Sequence, residues 1–137
     1  MCPVVLRVRD AMETQVVSID ASKSVSEAVR TMVEKGTWSL VVTRSGLPEG
    51  VITERDILRR CYAKNLDPNR TMLESVMSSP IITIEPDAPL GDAMTVMADK
   101  NIRRLYAVEK GQIVGRITQT DAFRRLLDVL FALSAIP

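Results

Sequence analysis

The chain contains no histidine. That removes both the commonest general base and the commonest metal ligand. No serine–histidine or cysteine–histidine pair can form within it. The two cysteines, Cys2 and Cys61, are too few and too far apart to suggest a disulfide framework or a zinc site. No carboxylates cluster at metal-ligand spacing, so neither a catalytic residue nor a bound metal is expected. There is no apolar run of 18 residues and no signal-peptide pattern at the N-terminus. A cytoplasmic protein without a membrane role is expected. Lys and Arg number 18 against 17 Asp and Glu. Such a balance gives no electrostatic case for nucleic acid or for an acidic lipid surface. What is present is apolar material, 46% of 137 residues. That is enough for a real core without covalent staples.

The heptapeptide Gly50-Val-Ile-Thr-Glu-Arg-Asp56 returns 65 residues later as Gly115-Arg-Ile-Thr-Gln-Thr-Asp121. At that offset Val8–Tyr62 aligns with Leu73–Leu127 without a gap. Met12/Met77, Ile19/Ile84, Ala28/Ala93, Met32/Met97, Leu40/Leu105, Gly46/Gly111 and Arg59/Arg124 are identical. Chance does not hold register over so long a span, and the chain is read as two copies of one unit.

Each copy spells the same order of elements. Val16–Ile19 and Ile81–Ile84 are short β-branched runs. A helix follows. Ser24 with Glu27 makes a capping box, and Val25, Ala28, Val29, Met32 and Val33 form an apolar stripe. In the second copy Pro89 sits in the first turn, ahead of Leu90, Ala93, Met94, Met97 and Ala98. Gly36 and Asn101 are placed to end these helices in the left-handed conformation. Strands are expected at Leu40–Thr43 and Gly50–Thr53, and at Leu105–Val108 and Ile113–Thr118, with turns at Gly46 and Gly111. A last helix begins near Asp56, and another near Asp121. Ile57, Leu58, Cys61 and Tyr62 are expected to face inward. The arginine pairs Arg59-Arg60 and Arg124-Arg125 are expected in solvent, or as a phosphate or nucleic-acid surface. The reading is α/β (α+β): one module over 1–137, with pseudo-symmetric β-α-β-β-α repeats at 8–66 and 73–133 joined through Asn65–Asn69. Neither repeat holds much core alone, so the two are expected to pack sheet against sheet. The apolar tail Asp128–Ile136 is expected to cover core or to meet a partner.

Tandem β-α-β-β-α units ending in glycine, an apolar residue, Ile or Val, then Thr-x-x-Asp resemble the CBS domain family, named after cystathionine β-synthase. The resemblance rests on the two heptapeptides, on Met12 and Met77, and on Asn101-Ile-Arg-Arg-Leu105. It implies a free-standing CBS pair, a likeness whose members often form flat homodimers and regulate an attached or partner protein. It further implies an adenosine-containing ligand, AMP, ADP, ATP or S-adenosylmethionine, held in the cleft between the repeats. That ligand is regulatory and not a catalytic cofactor. The target protein is not readable from the sequence, and the alternative is a ligand-free dimeric scaffold.

Candidate binding residues follow. Thr53 and Asp56, and their copies Thr118 and Asp121, fit two roles. Threonine and aspartate at a strand-to-helix junction make a capping box, which needs only a helix start. The same start also offers free N–H groups and a positive dipole end to a phosphate. The resemblance gives the aspartate to a ribose and sets the threonine near the phosphate. Ile52, Ile117 and Thr120 complete the motif set. A glycine ahead of it lets a backbone approach closely. Arg103 and Arg104 stand where the first copy has Trp38 and Ser39, and Ser39 is counted among the candidate ligand contacts. The arginine fork matches phosphate oxygens, and neighbouring strand residues point to opposite faces. Either they contact phosphate or they are solvated at a strand edge. Trp38 either packs in the core or at a dimer face, or stacks on a base. Thr14, Val16, Ser79 and Ile81 are the residues that the resemblance sets beside the base.

Overall fold

The computed structural model describes residues 6–135. Cys2 and Ile136 lie outside the described residues. In chain order the elements are α1 (Val8–Ala11), β1 (Ser18–Asp20), α2 (Val25–Lys35), β2 (Ser39–Arg44), β3 (Leu47–Thr53) and α3 (Glu54–Ile57). A π-helical turn, Leu58–Tyr62, and a 3-10 turn, Leu73–Ser75, come next. They are followed by β4 (Thr83–Ile84), α4 (Leu90–Lys100), β5 (Arg104–Glu109), β6 (Gln112–Thr118) and α5 (Gln119–Ser134). There are two three-stranded sheets, β1-β2-β3 and β4-β5-β6. In each, the first strand runs parallel to the second, and the second and third form an antiparallel hairpin. This is the expected β-α-β-β-α order, made twice.

Local chemistry sets the boundaries. Ser24 caps α2 and accepts from the Glu27 N–H, while the Glu27 carboxylate accepts from the Ser24 N–H. Gly36 closes that helix at φ +65, and Asn101 closes α4 at φ +52. Both were expected, since few residues tolerate that conformation. The hairpin loops are Ser45-Gly46 and Lys110-Gly111, with positive φ at all four positions. A two-residue turn of that kind matches the twist of its strands. The α2 stripe is narrower than the periodicity suggests. Val25, Ala28 and Met32 are buried, whereas Val29 and Val33 are exposed.

The chain divides into two compact units, each with its own core. One is Val17–Ile81. Its core joins Ile19, Val25, Ala28, Met32, Leu40, Val42, Ile52 and Cys61 to Leu73 and Val76 from beyond the linker. The other combines the described parts of Met1–Val16 and Ile82–Pro137. There Val8 packs with Leu90, Ala93, Met97, Leu105, Ala107, Ile117 and Ala122. Each fully buried Leu or Ile contributes about 1.5–3 kcal/mol, so both units hold a sizeable apolar core.

The compact units are thus offset from the sequence repeats. In each repeat the stretch ahead of the first strand belongs to the unit built by the other repeat. The Val8 N–H donates to the Ala88 carbonyl (2.9 Å) and the Leu90 N–H to the Leu6 carbonyl (2.8 Å). In the matching place Val25 donates to Thr71 (3.0 Å) and Ser26 to Pro68 (2.9 Å). An ion cluster fastens each stretch, with its charges reversed. Arg9 reaches Asp87 (3.1 Å) and Glu109. Sixty-five residues on, Glu74 meets Arg44, which also holds Glu49 (3.0 Å).

Three expectations about the helices are corrected. Leu58 and Tyr62 are exposed, the latter at 78%, while Cys61 is buried. A wider π-helical turn replaces the regular helix there, which shifts these positions off the 3.6-residue stripe. Arg60 is not idle, because its guanidinium donates to the carbonyls of Val76 (3.3 Å) and Met77 (2.7 Å). The tail forms no separate cover. It continues α5 to Ser134, with Leu130, Phe131 and Leu133 exposed.

Candidate functional site

The recurring heptapeptide is a strand that turns straight into a helix. Its glycine is explained by the chain's own packing. A Cβ on Gly50 would stand 2.7 Å from Met77 Sδ and 2.8 Å from the Ser78 carbonyl oxygen. One on Gly115 would stand 2.6 Å from Met12 Sδ and 3.1 Å from the Glu13 carbonyl oxygen. The close approach is therefore made by the segment ahead of the other repeat's first strand. That segment bonds to the motif strand: Val51 and Ser78 exchange both backbone hydrogen bonds (2.9 and 2.8 Å), as do Arg116 and Glu13 (2.8 Å each).

Both threonines cap their helices. Thr53 Oγ1 accepts from the Asp56 N–H (3.2 Å), and Thr118 Oγ1 from the Asp121 N–H (3.1 Å). The aspartates return the bond, through Oδ2, to the threonine N–H groups at 3.0 Å. The capping reading of these four residues holds in full.

Beyond the caps the two junctions differ. Asp56 is buried, 7% exposed. Its Oδ2 also accepts from the Thr53 hydroxyl (3.0 Å), and its Oδ1 accepts from the Ser78 hydroxyl (2.9 Å). Asp121 is only partly buried, and its Oδ1 receives no hydrogen bond from any described residue. The position matching Ser78 is Glu13, whose carboxylate turns to the Gln15 N–H (3.0 Å).

Beside the Thr118–Asp121 junction begins β5. Arg104 is the register partner of Thr118, and the Gln119 N–H donates to the Arg103 carbonyl (2.9 Å). Arg103 is exposed and Arg104 half-buried. Neither side chain forms a hydrogen bond or ion pair with any described residue. The backbones of Arg103 and Arg104 thus adjoin the start of α5, and their side chains leave the strand on opposite faces. In the other unit Ser39 is buried at the equivalent point and faces Thr53 across the hairpin. Trp38 is 63% exposed, so the core-packing reading of it is wrong.

The remaining candidates are scattered. Ile52 and Ile117 are fully buried core residues, which leaves only their backbones for a ligand. Thr14 and Val16 belong to the unit of Asp121, Ser79 and Ile81 to that of Asp56. Thr14 and Ser79 are exposed, Val16 and Ile81 half-buried. Thr120 lines a separate hollow of about 490 Å³ with Met94, Met97, Ala98, Gln119, Ala122 and Phe123. Sequence reasoning missed Ser78 and Glu13. The only signal for them was that aligned positions 13 and 78 carry different polar side chains. No group of three or more potential metal ligands occurs among the described residues. Nor is any described helix long and apolar enough to cross a membrane.

Two copies of a sheet-and-helix unit, each built around a capped strand-to-helix junction, define a tandem-repeat α/β module. The family model of the CBS domain matches residues 8–63 and again 73–128, and the chain belongs to that family. Pairs of this domain are in general regulatory modules. The chain is 32% identical over 114 residues to the CBS domain-containing protein YhcV of Bacillus subtilis, covering 83% of this chain and 81% of that one. A crystal structure of an uncharacterised conserved protein from Pyrococcus horikoshii superposes with a TM-score of 0.84 at 30% identity, over 91% of this chain and 95% of the other. The hexameric CBS-CP12 protein of bloom-forming cyanobacteria gives a TM-score of 0.84 at 27% identity, over 94% and 77%.

Proposed function

We propose that the chain is a regulatory module that takes an adenosine-type ligand, AMP, ADP, ATP or S-adenosylmethionine, at the junction of β6 and α5. In this reading Asp121 accepts from the ribose hydroxyls, and the α5 start with Thr118 receives the first phosphate or the equivalent polar group. Arg103 and Arg104 neutralise the remaining charge. The observation that carries the reading is the Asp121 Oδ1, which has no donor among the described residues, at a helix start whose backbone adjoins that of Arg103 and Arg104, themselves without a side-chain partner among those residues. A carboxylate that accepts from a diol, next to cations that accept phosphate, is the polarity a nucleotide presents. Ligand binding then biases an interface with a partner protein or with another copy, which suits a sensor of cellular energy state.

A thermal-shift series with AMP, ADP, ATP, S-adenosylmethionine and GTP tests it. A ligand that binds only the folded chain adds about 2.7 kcal/mol at a hundredfold excess over Kd, a rise of several degrees. One adenine ligand is expected to raise the midpoint, and Asp121→Ala to abolish the rise. No shift with any of them refutes the nucleotide reading.

A second reading, a homodimeric scaffold or interaction protein, is favoured by one feature. Phe123, Leu130, Phe131 and Leu133 of α5 are each at least 60% exposed. Water-facing side chains of that size on one helix suit a protein contact, and the cyanobacterial relative is hexameric. Sedimentation of the wild type against Phe131→Glu distinguishes it. A single monomeric species at all concentrations for both excludes self-association through this helix.

A further inference from the structure

The two junctions share a backbone arrangement and differ in the hydroxyls that donate to the aspartate, and we infer that Ser78 is the residue that shuts the first of them. The inference rests on the ligand reading given above and adds to it which copy binds. A carboxylate offers two oxygens. At Asp56, Oδ2 is taken by the Thr53 N–H and hydroxyl, and Oδ1 by the Ser78 hydroxyl. Oδ1 keeps a second lone pair, but with Asp56 only 7% exposed a ribose diol cannot reach it past the groups that pack there. To bind, it must displace an intramolecular partner and leave a part-buried hydroxyl without its acceptor, which is costly.

At Asp121 the same backbone pairing puts Glu13 where Ser78 stands. A carboxylate cannot donate to another carboxylate, and that of Glu13 is spent on the Gln15 N–H. Asp121 Oδ1 is left without a donor among the described residues. Cation placement agrees, because Arg103 and Arg104 lie on the open side and Trp38 and Ser39 on the shut one. The helix starts agree too. α5 runs for 16 residues, whereas α3 runs for four and passes into a π-helical turn. Ser78 therefore makes the pair single-sited, with one ligand per chain, held through Asp121. The Ser78–Asp56 bond serves instead as a strut between the linker-side segment and the α3 cap.

Equilibrium dialysis of the full chain with AMP, ATP and S-adenosylmethionine, combined with melting curves, tests both halves. The wild type is expected to bind one molecule per chain, and Asp121→Ala to lose at least tenfold in affinity with no second class of site. Two molecules per chain, or one molecule still bound at wild-type affinity by Asp121→Ala, overturns the single-site assignment. The strut is read without any ligand. Ser78→Ala and Asp56→Ala are each expected to lower the midpoint by about 3–6 °C, and the double variant by scarcely more than the larger single loss. Additive losses overturn the strut. If Asp56→Ala does not fold, Ser78→Ala alone decides, since an unchanged midpoint refutes it. Absence of all binding with non-additive melts refutes the nucleotide reading and leaves the strut standing.

Discussion

Replacing Gly50 by alanine tests the claim that the motif glycine is there for the chain and not for the ligand. The added Cβ would meet Met77 Sδ at 2.7 Å and the Ser78 carbonyl oxygen at 2.8 Å. The thioether is the far end of a flexible side chain and can swing. The carbonyl oxygen cannot, because it accepts from the Val51 N–H at 2.9 Å. Overpacking costs about 1–3 kcal/mol. Straining the two Val51–Ser78 backbone bonds adds roughly 0.5–1.5 kcal/mol. Reduced freedom of the unfolded chain returns about 0.4–1 kcal/mol. The net loss is about 2–3 kcal/mol. Gly115→Ala meets Met12 Sδ at 2.6 Å, but its nearest backbone atom is at 3.1 Å. Its loss is about 1 kcal/mol by the same accounting. Urea unfolding of both variants, at equal slope, gives the comparison. A Gly50→Ala loss under 0.5 kcal/mol, or one smaller than that of Gly115→Ala, refutes the reasoning.

Arg60→Ala removes the donor to the Val76 and Met77 carbonyls and should cost about 1 kcal/mol. Arg59→Ala, with no such contact, should stay within about 0.5 kcal/mol in the same urea series. Glu27 is held below its ordinary carboxylate range, chiefly by the Ser24 N–H. The unfolded chain then binds the proton more readily, so this contribution is present above the unfolded value and is lost as pH falls through the folded one. Melting curves from pH 6 to pH 3 should therefore fall less steeply for Glu27→Gln than for the wild type, and parallel curves would exclude the effect. Arg44→Glu should lower the urea midpoint at low salt, and Glu74→Arg in the same chain should restore part of the loss. A double variant no more stable than Arg44→Glu alone would show that the reversed ion clusters do not discriminate.

The fold was legible where local chemistry and period agreed. The capping box at Ser24 and Glu27, the helix stops at Gly36 and Asn101, and the turns at Gly46 and Gly111 all stand where the sequence puts them. Each is decided by the residue itself and two or three neighbours. The first strands were displaced, to Ser18–Asp20 and Thr83–Ile84. A β-branched run shows that an extended segment can be buried, but the hydrogen-bonded partner on β2 or β5 decides which residues pair. α1 and the 3-10 turn at Leu73–Ser75 were missed, being too short for any period to show. The outward turn of Leu58 and Tyr62 was missed because a π-helical turn obeys no 3.6-residue stripe.

The site was half legible for a reason that lies in the repeat itself. Superposing the copies rewards what is identical, and identity picks out Thr53, Asp56, Thr118 and Asp121. Those four make the same cap twice, so they cannot say which junction is open. The decision falls to Ser78 and Glu13, aligned positions that differ, on segments that pack against the other repeat's strand. Arg9 and Glu74 differ in the same way, and their partners Glu109 and Arg44 differ to match. A segment docked on the wrong unit would set Arg9 against Arg44, or Glu74 against Glu109. Each such contact costs as much as the right one contributes. The identical positions therefore build the shared fold. Ser78 and Glu13, with the reversed charges beside them, distinguish the two segments, and of the two aspartates only Asp56 receives a hydroxyl from its segment among the described residues.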